Sequence, residues 1–162
     1  MATFRTSLSR PVRHCHVKPH PVIPCLSREW TLAQKQQKSA ELAMSFPDYV
    51  QLEDPSARFN CHGFSFTGSH GWFNNPSRFI EDDFTIEDDF TNAPLSAPQE
   101  GDLLVYRDDT EFTHSGFVEK VSHGHIRLVR SKMGRSSTVL HRPDDVDPSY
   151  GQPALRLRKN SP

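Results

Sequence analysis

Cysteine, tyrosine and tryptophan are scarce in this chain, at 3, 3 and 2 residues of 162. The cysteines are Cys15, Cys25 and Cys61. An odd count is a poor disulfide framework and points to a reducing compartment; even a Cys15–Cys25 pair would leave Cys61 free. No stretch approaches the ~20 apolar residues of a membrane helix, so no membrane partner is expected. A formal net charge of -1 leaves no basic footprint, and nucleic acid is not an expected partner either. The first acid is Glu29, and the stretch before it lacks the continuous apolar core of a secretory signal peptide. It is rich in Arg and Ser as transit peptides are, but His and Pro are equally prominent. The expected location is the cytoplasm of the producing cell.

The residues that are present suggest one domain with generous loops. There are 13 prolines, mean hydropathy is -0.65, and 11 phenylalanines supply much of the apolar bulk. Pro11, Pro19, Pro21 and Pro24 interrupt hydrogen bonding, so residues 1–26 read as an extended arm and residues 27–160 as the domain. Ser27 is expected to cap a helix of good helix formers running to about Ser45 and stopped by Pro47. Tyr49 to Leu52 is expected as a short strand or an extended lead-in. A second helix is expected to start at Asn60 or Cys61 and to end among Gly68 to Gly71.

Residues 80–85 read IEDDFT and residues 86–91 repeat it. The copy is far shorter than solenoid periods of ~20–50 residues. A solvated loop or frayed helix end explains it best, with a docking surface for a basic partner as the alternative. After Pro98 the pattern turns to strands: 103–106, 114–121, 126–131, 138–141 and 154–157, with a tight hairpin at His123-Gly124. Helices first and an antiparallel sheet after them make an α+β layout.

Chemistry concentrates where a cysteine opens a helix and a later histidine, His114, opens a strand. A thiol is a poor nucleophile until ionised; a helix start and an imidazolium both stabilise the thiolate. The histidine can then protonate a leaving amine, while free NH groups at the helix start hold an oxyanion. Such a pair should keep the sulfur reactive down to about pH 6. In the two-residue hairpin, position 114 faces 133, so Ser131 shares a face with His114 one diagonal away, whereas Arg130 and Lys132 point to the other.

Other polar residues carry weaker signals. His62 and His70 flank the cysteine helix, with a surface role expected. His14, Cys15, His16, His20 and Cys25 have ligand types without a zinc spacing, so no metal and no cofactor is expected. Trp72 reads as core or cleft wall. Gly63, Gly68 and Gly71 lack the setting of a phosphate loop.

FNCHGFSF resembles the cysteine-bearing helix start of the NlpC-like and CHAP amidases of the papain-like superfamily. PQEGDLLVY resembles the strand before their histidine strand, and THSGFVEKV is similar to that strand itself. IRLVRSKMG followed by VDPSYG is similar to an uncharacterised bacterial branch, and the resemblance runs from about residue 58 to 151 in order. It implies a papain-like fold with Cys61 as nucleophile and His114 as base. CHAP relatives place an acid, and NlpC-like relatives a His or other polar residue, on the next strand. Here Arg130 and Ser131 stand there, making Ser131 the candidate orienter and His141 the reserve. The implied reaction is hydrolysis of a peptide or amide bond. The implied substrate is a protein or cell-wall peptide, for a bacterial toxin or effector delivered by a secretion system and plugged by an immunity protein. A non-catalytic binding module and an acyltransferase are the alternatives on the same fold.

Overall fold

The structure is a computed structural model that describes residues 22–23, 28–69, 71–73 and 90–160. Two helices, a single 3-10 turn and nine strands follow one another among these residues. Helix and antiparallel sheet together make the α+β class that the sequence led one to expect, with most of the sheet following the helices.

Helix α1, Leu32–Ser45, starts later than Ser27, which lies outside the described residues. Its cap is Thr31, whose hydroxyl accepts from Gln34 N at 3.3 Å while the Gln34 side chain accepts from Thr31 N at 2.9 Å. This reciprocal box satisfies two orphan donors, which is why the helix begins there. Phe46 closes the other end, its NH reaching Leu42 O at 2.8 Å just before Pro47. Leu42 is the helix's buried residue and packs on Met133 and Val139.

Helix α2, Cys61–Thr67, falls where the sequence put it, with Asn60 as N-cap and Gly68 as a left-handed C-cap at φ 63. Strand β1, Val22–Ile23, pairs with β3, Trp72–Phe73, so two residues of the stretch read as an extended arm pair with the domain. The remaining strands are β2 (Val50–Gln51), β4 (Phe90–Asn92), β5 (Leu103–Arg107), β6 (Phe112–Ser122), β7 (His125–Lys132), β8 (Thr138–His141) and β9 (Gln152–Lys159). They form one sheet in the order β2-β8-β7-β6-β5-β9-β4, with every pairing antiparallel. Of the acidic duplication, only Phe90 and Thr91 are described; both runs of carboxylates lie outside the described residues.

The β6–β7 hairpin turns on His123 and Gly124, both at positive φ (53 and 75), as a type I′ turn requires. Its register pairs Gly116 with Ser131, with compensating irregularities near Val118 to Val121. One core cluster gathers Phe66 of α2 with Phe73, Phe90, Leu103, Val105, Phe112 and Leu157. A second holds Leu104, Tyr106, Val118 and Val129.

Asp102, the acid of the Gly-Asp pair before β5, is buried against two guanidinium groups of β9. It accepts from Arg158 Nε at 2.8 Å, from Gln99 N at 2.8 Å and from the fully buried Arg156 Nη1. Burial alone would raise this carboxyl; the Arg158 and Gln99 hydrogen bonds and both guanidinium charges outweigh it and hold the group below its usual range.

Candidate functional site

Cys61 occupies the first turn of α2 and is 6% exposed. Asn60 fixes that turn. Its Oδ1 accepts from Gly63 N at 2.8 Å and from Phe73 N at 3.1 Å, and its Nδ2 donates to Phe73 O at 3.1 Å. One side chain thus caps the helix and ties it to β3. The Cys61 thiol points at β6, donating to Thr113 O at 3.9 Å, so it rests beside the backbone of the residue preceding His114.

Burial pushes the Cys61 thiol up to about 11, although backbone NH groups of Ser115 and His62 and the Lys132 charge pull the other way. The sequence led to the opposite expectation, a thiolate stable near pH 6. A helix this short has little dipole to offer, and desolvation prevails.

His114 sits on β6 opposite Tyr106 and is fully buried. Neither of its ring nitrogens has a hydrogen-bond partner among the described residues. Its ring stacks on Tyr150 with centroids 4.2 Å apart and planes 8° from parallel; Tyr106 and His141 flank it at 5.3 and 6.2 Å. Burial first, then His141 and His62, hold the imidazole well below its ordinary range, so it is neutral. Thiol and imidazole are therefore both neutral, and no hydrogen bond joins them.

Ser131 shares the face of His114, as the hairpin geometry requires, yet its hydroxyl goes elsewhere. Ser131 Oγ lies 2.7 Å from His141 Nε2, and His141 Nδ1 lies 2.7 Å from the carbonyl of Arg142. A carbonyl only accepts, so neutral His141 carries its proton on Nδ1 and takes the Ser131 proton on Nε2. Both side chains are committed, and neither hydrogen-bonds His114. The orienting bond expected of Ser131, or of His141 in reserve, is absent from this arrangement.

Two further residues matter that the sequence reading passed over or misplaced. His62, expected at the surface, is buried and shares a 2.9 Å hydrogen bond with Ser115, whose hydroxyl also reaches Cys61 O at 3.4 Å. Burial drives His62 down to about 4. Lys132, on the opposite face from Ser131, is wholly buried and donates to Ser56 O, Gly134 O and Ser136 O at 2.8, 2.8 and 2.6 Å. Its ammonium lies 5.1 Å from the Phe59 ring, and burial lowers it to about 8. A periodic pattern shows that Lys132 turns away from His114 but not that three carbonyls await it.

Tyr150 had a readable signal. Asp147-Pro148 is a helix-start pair, and Pro148–Tyr150 forms the 3-10 turn, with Asp147 accepting from Ser149 N at 2.9 Å and Ser149 Oγ at 2.6 Å. His70 and the His14–Cys25 run lie outside the described residues. Among the described residues, no group of three or more His, Cys, Asp or Glu side chains is arranged to hold a metal ion. No helix there is long and apolar enough to cross a membrane.

No protein family, curated protein or solved structure matches this chain. What the arrangement offers chemically is a thiol, an unpartnered imidazole one residue from its contact point, and a short helix start with backbone NH groups facing the sulfur.

Proposed function

We propose that the chain is a cysteine hydrolase of papain-like design, cleaving a peptide or amide bond. The observation that carries this reading is the placement of the Cys61 sulfur against the backbone beside a His114 whose nitrogens are both uncommitted. An imidazole buried without any hydrogen bond is costly, by about 1–3 kcal/mol, and such a cost is retained where a group must exchange protons.

In the proposed reaction Cys61 Sγ attacks the substrate carbonyl carbon while His114 takes the thiol proton. Backbone NH groups at the start of α2 receive the oxyanion. The carbon–nitrogen bond then breaks, the amine leaves with the proton held by His114, and a thioester remains on Cys61. Water adds to that thioester with His114 again accepting a proton, releasing the acid and the thiol. Proton transfer in the step of attack suits the neutral resting pair, because no standing thiolate is needed. The substrate proposed is a protein or cell-wall peptide, cut by a delivered bacterial toxin or effector and held in check by an immunity protein in the cleft.

A non-catalytic binding module on the same fold is the second reading. It is favoured by the raised Cys61 thiol and by the missing bond from Ser131 to His114. Incubation of the protein with purified cell-wall peptides and with a bacterial lysate, and then mass-spectrometric mapping of new termini, separates the two. New termini that vanish with Cys61→Ala and with His114→Ala are expected. Termini unchanged in Cys61→Ala, or none in either sample, leave the binding module.

A further inference from the structure

All three tyrosines of the chain surround the His114–His141 pair: Tyr106 and Tyr150 against His114, and Tyr49 at 5.4 Å from His141. Tyr49 and Tyr106 also spend their hydroxyls on loop carbonyls, Asp145 O at 2.5 Å and Pro143 O at 2.8 Å. Tyr150 is tied to His114 in two ways. Its ring stacks flat on the imidazole, and its carbonyl accepts from Thr113 Oγ1 at 2.5 Å, on the residue just before His114. The backbone carrying it is stiff at both ends. Asp147 fixes the entry, and Gly151 fixes the exit at φ 73, where a Cβ would lie 2.0 Å from Arg107 O.

We infer that Tyr150 is the positioning residue of His114, taking by ring stacking the orienting role expected of Ser131; this rests on the Cys61–His114 reading. A histidine without hydrogen bonds has nothing polar to fix its ring. A parallel aromatic face restrains rotation of the imidazole without occupying either ring nitrogen. When the thiol proton arrives, the same face stabilises the imidazolium through its quadrupole, with no carboxylate required. The Thr113–Tyr150 bond keeps the two rings in step, because any shift of β6 near His114 carries Tyr150 with it.

The test reads the rate of Cys61 alkylation by iodoacetamide at about pH 9, where a raised thiol begins to label, mapped by peptide in the full chain. Tyr150→Leu should slow labelling by about tenfold, the scale of a desolvated ring–cation interaction. Tyr150→Phe keeps the aromatic face and should rescue the rate to within about twofold. In a His114→Ala background, Tyr150→Leu should cause no further loss, since its effect passes through His114. A Tyr150→Leu rate equal to or faster than the parent's overturns the inference, as does a loss that persists without His114. If His114→Ala slows labelling but Tyr150→Leu does not, this inference alone fails. If His114→Ala changes nothing, the Cys–His reading fails with it. Should Tyr150→Leu not fold, the parent still decides by NMR: one fixed set of His114 ring protons with cross-relaxation to Tyr150 is expected, and a freely flipping ring overturns the proposal.

Discussion

Gly63 lies two residues after Cys61, and a Cβ there would stand 1.8 Å from Gly71 O and 3.1 Å from Asn60 Oδ1. Both atoms belong to the clamp that sets the start of α2. Gly63→Ala is expected to cost about 1–3 kcal/mol in chemical denaturation, because backbone must move, and to lower the proposed hydrolysis with it. Gly68→Ala is the contrast: nothing lies within 4 Å of the added carbon, but φ is 63, so strain alone should cost about 1 kcal/mol. Equal losses for the two would show that the Gly71 contact is not what matters. A second expectation concerns the resting thiol. With Cys61 pushed up to about 11, labelling without substrate should climb only at alkaline pH, well above the ~8.5 of a free thiol. A labelling midpoint in the acid range would show a standing ion pair instead. Ser131 marks the limit of what sequence reveals at this scale. Alternation placed it on the face of His114, but a hydroxyl bonds whichever partner is nearer, and His141 arrives from β8, a strand whose pairing with β7 had not been registered.

The elements were more legible than their joints. α2 shows its Asn60 cap and Gly68 stop in sequence, and the His123-Gly124 turn announces the β6–β7 hairpin. Thr31-x-x-Gln34 is equally legible in sequence as a capping box. The β1–β3 pair joins two-residue strands too short for any periodicity to register. The Asp102 cluster joins a motif residue to β9, and neither end names the other. Its consequence is testable. Asp102→Asn leaves Arg156 buried without a counter-charge and should cost about 3–5 kcal/mol in a denaturation curve. The folded carboxyl is held below its unfolded value, so its contribution is present above about pH 4 and fades as pH falls through the folded value. The parent's stability should therefore decline in acid more steeply than that of the variant. Parallel acid curves would remove Asp102 from the account.

At the scale of the whole molecule, the antiparallel sheet brings together segments from Thr113 to Tyr150 that composition gave no reason to associate. Scarcity turns out to be informative here. Both tryptophans, Trp30 and Trp72, pack about Arg135 at 5.9 and 5.2 Å, while every tyrosine sits with the histidine pair. The chain thus carries two optical reporters on separate regions. Burial raises all three phenols above their ordinary 10.0, so the folded protein resists ionising them while the unfolded chain does not. That stabilisation is intact below about pH 10 and drains away above it, as unfolding releases up to three protons. Phenolate absorbance is expected to appear in one cooperative step, coincident with loss of far-ultraviolet ellipticity, and gradual ionisation near pH 10 in a still-folded chain would contradict it. In alkali, then, the molecule should keep its colourless state until it gives way all at once, and the residues that report the collapse are the ones that enclose the imidazoles.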